Sequence, residues 1–338
     1  MDKITADSYL CAKVSGLYSK LYIGERAKRL FEVQRLQELW TLLFTDDLPA
    51  LTEGQLIALL EQKISRRLID DFLELVSVYK KPNPIFFTLI SQFDYANLRA
   101  VSSLPSLHDI KEPPIIDLGQ FSIFRWKKWP DINAITAKSP VGWYNRIPDD
   151  SNRLDWEIKL DKTYYAQLWD TLLRLPENER ASCERLIKEE IILQNIVWVM
   201  RLRVYYDFDG KDIIPMLVGS DGGKGENMLC KDAFFALDKP LDSWNAWEGW
   251  KYSWILNPHE EGVPWELDPR WAQLAGDKFL YRTAEREFHK QFFTPGLLVA
   301  FFKIKQLEEY MIRVAVESLR LGASDSLKNE FVGEEMYV

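Results

Sequence analysis

Apolar residues recur along this chain at helical spacing. Between Tyr9 and Leu21 the positions Leu10, Val14, Leu17, Tyr18 and Leu21 share one side, while Lys13, Ser15, Ser19 and Lys20 lie mostly opposite, which predicts an amphipathic helix. Gly24 interrupts it, and the period resumes from Ala27 to Phe44 through Leu30, Val33, Leu36, Leu39, Leu43 and Phe44. Thr52 and Gln55 have the reciprocal spacing of a capping box, so a third helix is expected from Glu53 to Tyr79. Pro82 and Pro84 break it, because proline lacks an amide hydrogen and biases its predecessor toward extended backbone. Ile85 to Val101 reads as the next helix.

From Leu104 to Arg153 prolines punctuate short apolar patches such as FSIFRW, which marks a domain boundary. Leu154 to Leu175 and Asn178 to Asp207 are long helical stretches separated by Pro176-Glu177. Ile213 to Val218 could form a short strand, and the glycine-rich GSDGGKG after it marks a flexible turn and a second boundary. Ser243 can cap a helix running to Pro258 with Trp244, Trp247, Trp250 and Trp254 along one side, packed inward, and Glu248 and Lys251 outward. Trp271 to Phe293 and Pro295 to Leu321 complete an all-α chain, with a tail after Ala323.

Composition narrows the possible roles. The 338 residues are 47% hydrophobic and 28% charged, enough to bury a large interior and to exceed one ordinary core. A formal net charge of −8 argues against nucleic acid as a partner, and no local basic face is evident. Cys11, Cys183 and Cys230 lie far apart without zinc spacing, so reduced thiols in a cytosolic compartment are expected. The first residues lack a cleavable signal pattern, and the longest apolar run, Thr294 to Phe302, is too short to span a bilayer. Any membrane contact is therefore expected to pass through a partner.

Catalytic signals are weak. Asp70, Asp71 and Glu74 resemble the magnesium-holding cluster of isoprenoid synthases, but no facing acidic helix is apparent and a solvated face explains them. The run Gly219 to Gly225 fails phosphate-loop spacing and has glycine where a hydroxyl should hold magnesium. His108, His259 and His289 are isolated, and no GxSxG turn occurs. No catalytic, cofactor or metal residues are assigned on this reading.

An internal echo carries more information. The last long helix of each third is amphipathic with a polar, apolar and basic cluster: FDYANLRAV (Phe93 to Val101), EEIILQNIVWVMRLR (Glu189 to Arg203) and KIKQLEEYMIRVAVE (Lys303 to Glu317). Asn195-Ile196 answers Asn97-Leu98, while Glu308 and Ile312-Arg313 answer Asp94 and Leu98-Arg99. These segments, with YLCAKVSGLYSKLY before them and LDKTYY between, occur in an order that resembles the C subunit of V/A-type rotary ATPases, known as the d subunit in the eukaryotic vacuolar enzyme. Tyr9 with Lys13, and Leu160-Asp161-Lys162 with Tyr164 and Tyr165, match the family pattern. Ile192 stands where an acidic residue is usual, Met311 replaces the third Asn, and the Leu104 to Asn152 stretch is unlike the family's short connection.

The resemblance implies three similar helical domains, here residues 1–104, 105–215 and 216–338, around a pseudo-threefold axis in a funnel shape. It implies a non-catalytic adaptor on the cytoplasmic face of a membrane, with the central shaft and the proteolipid ring as partners and no functional homo-oligomer. Asp94, Asn97, Arg99, Asn195, Arg201, Arg203, Glu308 and Arg313 are the repeated polar positions, expected either to touch partners or to act as struts between helices. A magnesium-dependent all-α enzyme and a generic helical scaffold are the alternatives.

Overall fold

A computed structural model describes residues 1–104, 111–113, 115–220 and 227–322. Among them are twelve α-helices and no strand: α1 (Lys3–Tyr18), α2 (Lys28–Glu32), α3 (Leu36–Leu43), α4 (Glu53–Ser77), α5 (Pro84–Ser102), α6 (Ile132–Thr136), α7 (Arg153–Leu173), α8 (Glu177–Tyr206), α9 (Gly210–Ile213), α10 (Asn227–Leu237), α11 (Pro269–Lys290) and α12 (Pro295–Arg320). The chain divides into two compact units, Met1–Phe86 with Ala284–Val338, and Phe87–Thr283, with the divisions falling inside α5 and α11.

In the first unit α12 packs against α4, α1, α2 and α3. Leu30, Leu39, Trp40, Leu60, Ile64, Met311, Ile312 and Val316 form its buried core. The apolar run at the start of α12 is buried on every side, and Phe302 meets Phe72 at 4.6 Å between ring centroids. That run is a core segment, as an all-round apolar helix in a globular unit must be. In the second unit α8 is the central helix, packed on α10 and α7. Its apolar residues from Ile191 to Met200 are buried around the circumference, so it carries no polar stripe over that length.

Most long helices lie within a few residues of their expected bounds, and the differences have local causes. Helix α1 starts six residues before Tyr9, because the Asp2 carboxylate accepts from the Thr5 amide at 3.0 Å and caps it. The amide of Thr52 donates to Gln55 Oε1 at 3.1 Å, as the capping-box pattern at α4 requires. The expected Ala27 to Phe44 helix is instead two, divided at Val33, whose backbone is extended. Glu38 reaches back to the Gln34 amide at 2.9 Å and starts a fresh helix there. The possible strand at Ile213 to Val218 is helical turn, with Pro215 in a 3₁₀ segment.

The largest departure is the tryptophan row. Instead of a helix from Ser243 to Pro258 there are two 3₁₀ turns, Trp244–Trp247 and Ser253–Ile255, joined through Gly249 at φ +74°. That left-handed backbone suits glycine and ends a right-handed turn. Trp247 and Trp250 are buried, Trp250 stacking on Phe235 at 5.6 Å, whereas Trp254 is exposed and lies on Phe279. Inward packing therefore holds for two of these rings without the helix that would align all four. The glycine run continues beyond Ser220 outside the described residues, as do His108 and the tail after Gly322.

Candidate functional site

The three echoed helices bind chain segments in related ways. On α5 the fully buried Asp94 accepts from the Ser122 hydroxyl at 2.8 Å, the Ile123 amide at 2.6 Å and the Trp126 indole at 3.0 Å. Burial pushes its carboxyl above the ordinary range, and these donors act in the opposite sense. One turn on, the Asn97 side chain accepts from the Ile116 amide and donates to the Ile116 carbonyl, both at 2.8 Å. The proline-rich stretch is thus pinned onto α5, and Asp94 with Asn97 are the pins.

Helix α8 repeats the second grip. Asn195 accepts from the Val218 amide at 3.0 Å and donates to the carbonyls of Val218 at 3.0 Å and Leu229 at 2.9 Å. One amide side chain matches the backbone N–H and C=O of a single residue, the geometry that satisfies a buried loop lacking ladder partners. Helix α12 repeats the first grip: Glu308, 2% exposed, accepts from the Tyr22 amide at 3.0 Å. At the positions where the family pattern is broken, Ile192 and Met311 are buried apolar side chains, and no polar group there needs a partner.

The basic positions also bind within the chain. Arg99 is ion-paired with Asp161, part of the LDKTYY segment. Arg203 donates to the carbonyls of Ala236 at 2.6 Å and Lys239 at 2.8 Å, closing the end of α10. Arg313 binds the Ser65 hydroxyl at 2.7 Å and Glu309 at 3.0 Å. Lys305, which the echo did not single out, is 2% exposed and holds Asp71 and Glu308, each at 2.9 Å, with Arg67 4.0 Å from Glu308. Arg201 lies near Asp277 of α11.

Asp277 is pushed up to about 6, chiefly by burial and then by Glu190 of α8, against Gln273 and Arg201, which favour the carboxylate. Tyr165 of α7 also faces this group. The folded chain therefore binds this proton more tightly than the unfolded chain does. The stability so contributed is complete below the ordinary value of 3.8 and is lost as pH rises through about 6. Asp277→Asn is expected to raise the melting temperature at neutral pH, with the gain shrinking to nothing in acid. A pH-independent change, or a loss at neutral pH, would contradict this assignment.

The acidic cluster on α4 does not converge on an empty centre. Asp70 pairs with Arg66 at 2.9 Å, Asp71 with Lys305, and Glu74 with Lys13. Among the described residues no group of three or more His, Cys, Asp or Glu is placed to hold a metal. A concavity of about 790 Å³ runs along α7 past Asp155, Lys159, Lys162 and Asp170 to Asp212 and Met216. Its charges are spread along the groove, and Lys162 Nζ is held by the Pro215 carbonyl at 2.8 Å. No described helix is long and apolar enough to cross a membrane.

One surface feature departs from the sequence reading, in which no basic face is evident. Arg125, Lys127, Lys128 and Lys138 are all exposed. The Arg125 amide donates to the Ile135 carbonyl at 3.1 Å, which joins the stretch holding Arg125, Lys127 and Lys128 to the one that leads into Lys138.

Comparison with known proteins shows the family. The family model described as ATP synthase (C/AC39) subunit matches residues 10–330. An uncharacterized protein of Treponema pallidum is 39% identical over 342 residues, covering 100% of this chain and 99% of that protein. The C subunit of the A-type ATP synthase of Thermococcus gammatolerans is 24% identical, covering 99% of this chain and 92% of its own length. The protein of the same name from Thermococcus onnurineus is 22% identical over 71% of this chain and 69% of its own.

Proposed function

Because this chain belongs to the ATP synthase (C/AC39) subunit family, we propose that it is a non-catalytic central-stalk adaptor of a V/A-type rotary ATPase, joining the central shaft to the proteolipid ring. On this reading it lies on the cytoplasmic face of the membrane and transmits rotation coupled to ion transport. The observation that carries the proposal beyond family membership is the repeated grip. Asp94 and Glu308 each hold a backbone amide, and Asn97 and Asn195 each clamp the backbone N–H and C=O of one residue. A part that transmits torque needs segments locked to long helices rather than hinged, and buried, fully paired polar clamps provide that rigidity.

The same correspondence supports three similar thirds, bounded near residues 104 and 215, as the underlying plan of the proposed adaptor. The polar positions then serve mainly to shape the docking faces, and partners meet the surfaces around them. The enzyme reading draws no comparable support from α4, where Asp70, Asp71 and Glu74 each face a cation.

Purification of the tagged chain from native membranes tests the proposal. Shaft and ring subunits of a rotary ATPase are expected to accompany it in fixed ratio, with retention falling as salt rises if exposed charge dominates the contacts. Recovery of the chain alone from gently solubilised membranes would overturn it.

A further inference from the structure

We propose that the surface from Arg125 to Lys138 docks directly on anionic phospholipid headgroups, a contact separate from any made through partner proteins. The segment from residue 120 to 140 holds four basic residues and one acidic residue in a chain of net charge −8. Arg125, Lys127, Lys128 and Lys138 are exposed, and among the described residues their side chains have neither a hydrogen bond nor an ion pair. Partly buried basic side chains of the same unit, Arg99, Lys162 and Arg203, are committed to partners.

The backbone beneath the patch is fixed. Ser122, Ile123 and Trp126 are tied to buried Asp94, Lys128 turns back onto the Arg125 carbonyl at 2.8 Å, and Arg125 bonds Ile135. Four cations without a partner among the described residues therefore stand over a hydrogen-bonded backbone, against the long-range repulsion that an acidic chain exerts on any polyanion. Contact within a Debye length, about 8–10 Å, is where such a patch acts.

Three features favour a lipid surface over other polyanions. Lysine is a flexible point charge, suited to a dense layer of phosphates without fixed geometry. The half-buried indoles of Trp126 and Trp129 interleave with the lysines, as rings do at the headgroup layer. A nucleic-acid strand would need open ring faces for stacking, but Trp126 sits edge-on against Phe124 at 6.0 Å with its N–H given to Asp94. None of the exposed large apolar side chains falls in this segment, so the contact is adsorption without insertion.

The proposal does not rest on the adaptor reading, and its test excludes ring and shaft. The purified full chain is sedimented with vesicles of phosphatidylcholine alone and of phosphatidylcholine with phosphatidylglycerol. Binding is expected only to the anionic vesicles, and it should weaken with salt. Arg125→Gln with Lys127→Gln and Lys128→Gln should lower partitioning about 100-fold, at roughly fivefold per charge near the surface. Lys80→Gln with Lys81→Gln, on exposed lysines of the other unit, should change it far less. Equal binding to neutral vesicles, an equal effect of the control pair, or retention on heparin without vesicle binding would each overturn the proposal. Circular dichroism of each variant establishes that the fold is intact.

Discussion

Lys305→Met is expected to destabilise the unit built on α4 and α12 by about 3–5 kcal/mol, the range for removing one partner of a buried ion pair. Lys305 is 2% exposed and neutralises two carboxylates, Asp71 and Glu308. Asp71 is partly open to water and can be solvated, but Glu308 is buried, and after the substitution it keeps the Tyr22 amide and a distant Arg67. A methionine fills the stem's volume, so the loss comes from the stranded charge and not from a cavity. Adding Glu308→Gln removes that charge while preserving an oxygen for the Tyr22 amide, and the double variant is expected to regain most of the stability. Urea unfolding of the two singles and the double gives the coupling. A single-variant loss under about 1 kcal/mol, or strict additivity, would show that the pair is not coupled as drawn.

Asn195→Ala should cost about 3 kcal/mol, because it strands the amide and the carbonyl of Val218 where water does not reach and removes the extra donor that Asn195 gives the helical carbonyl of Leu229. The effect is a matter of satisfied backbone, so chemistry more than size decides the outcome. Asn195→Asp retains the acceptor for the Val218 amide but sets a carboxylate against two carbonyl oxygens that previously received N–H groups. It is expected to be at least as damaging near neutral pH and milder in acid, where a protonated carboxyl again donates. Thermal melts across pH separate the two variants; equal tolerance of Asp and Ala at all pH values would mean that the clamp contributes little.

The echo among the three helices was legible as residue type and spacing, and its pairing of Asn97 with Asn195 and of Asp94 with Glu308 recurs in what those side chains bind. Their targets were not legible. Ile116 and Val218 lie 19 and 23 residues beyond the asparagines that hold them, and Tyr22 lies 286 residues from Glu308. Nothing in a local pattern reports a contact made through a loop of that length. Lys305 was passed over because a lone lysine on an amphipathic helix normally reads as solvent-facing, and only the approach of α4 buries it. The basic patch is hidden in the sequence for a related reason: Arg125 and Lys138 are 13 residues apart in a proline-interrupted stretch, and a backbone hydrogen bond from Arg125 to Ile135 joins the two segments.

By itself the sequence determined the all-α class, the long helices and most of their ends, and the family, because periodicity, prolines and caps act through neighbours within a few residues. Tertiary structure alone decided where Val33 and Gly249 break the expected helices, which tryptophans are buried and which segment each polar clamp holds. Those outcomes depend on desolvation and on pairing between distant segments, whose free energies exist only once the helices have packed.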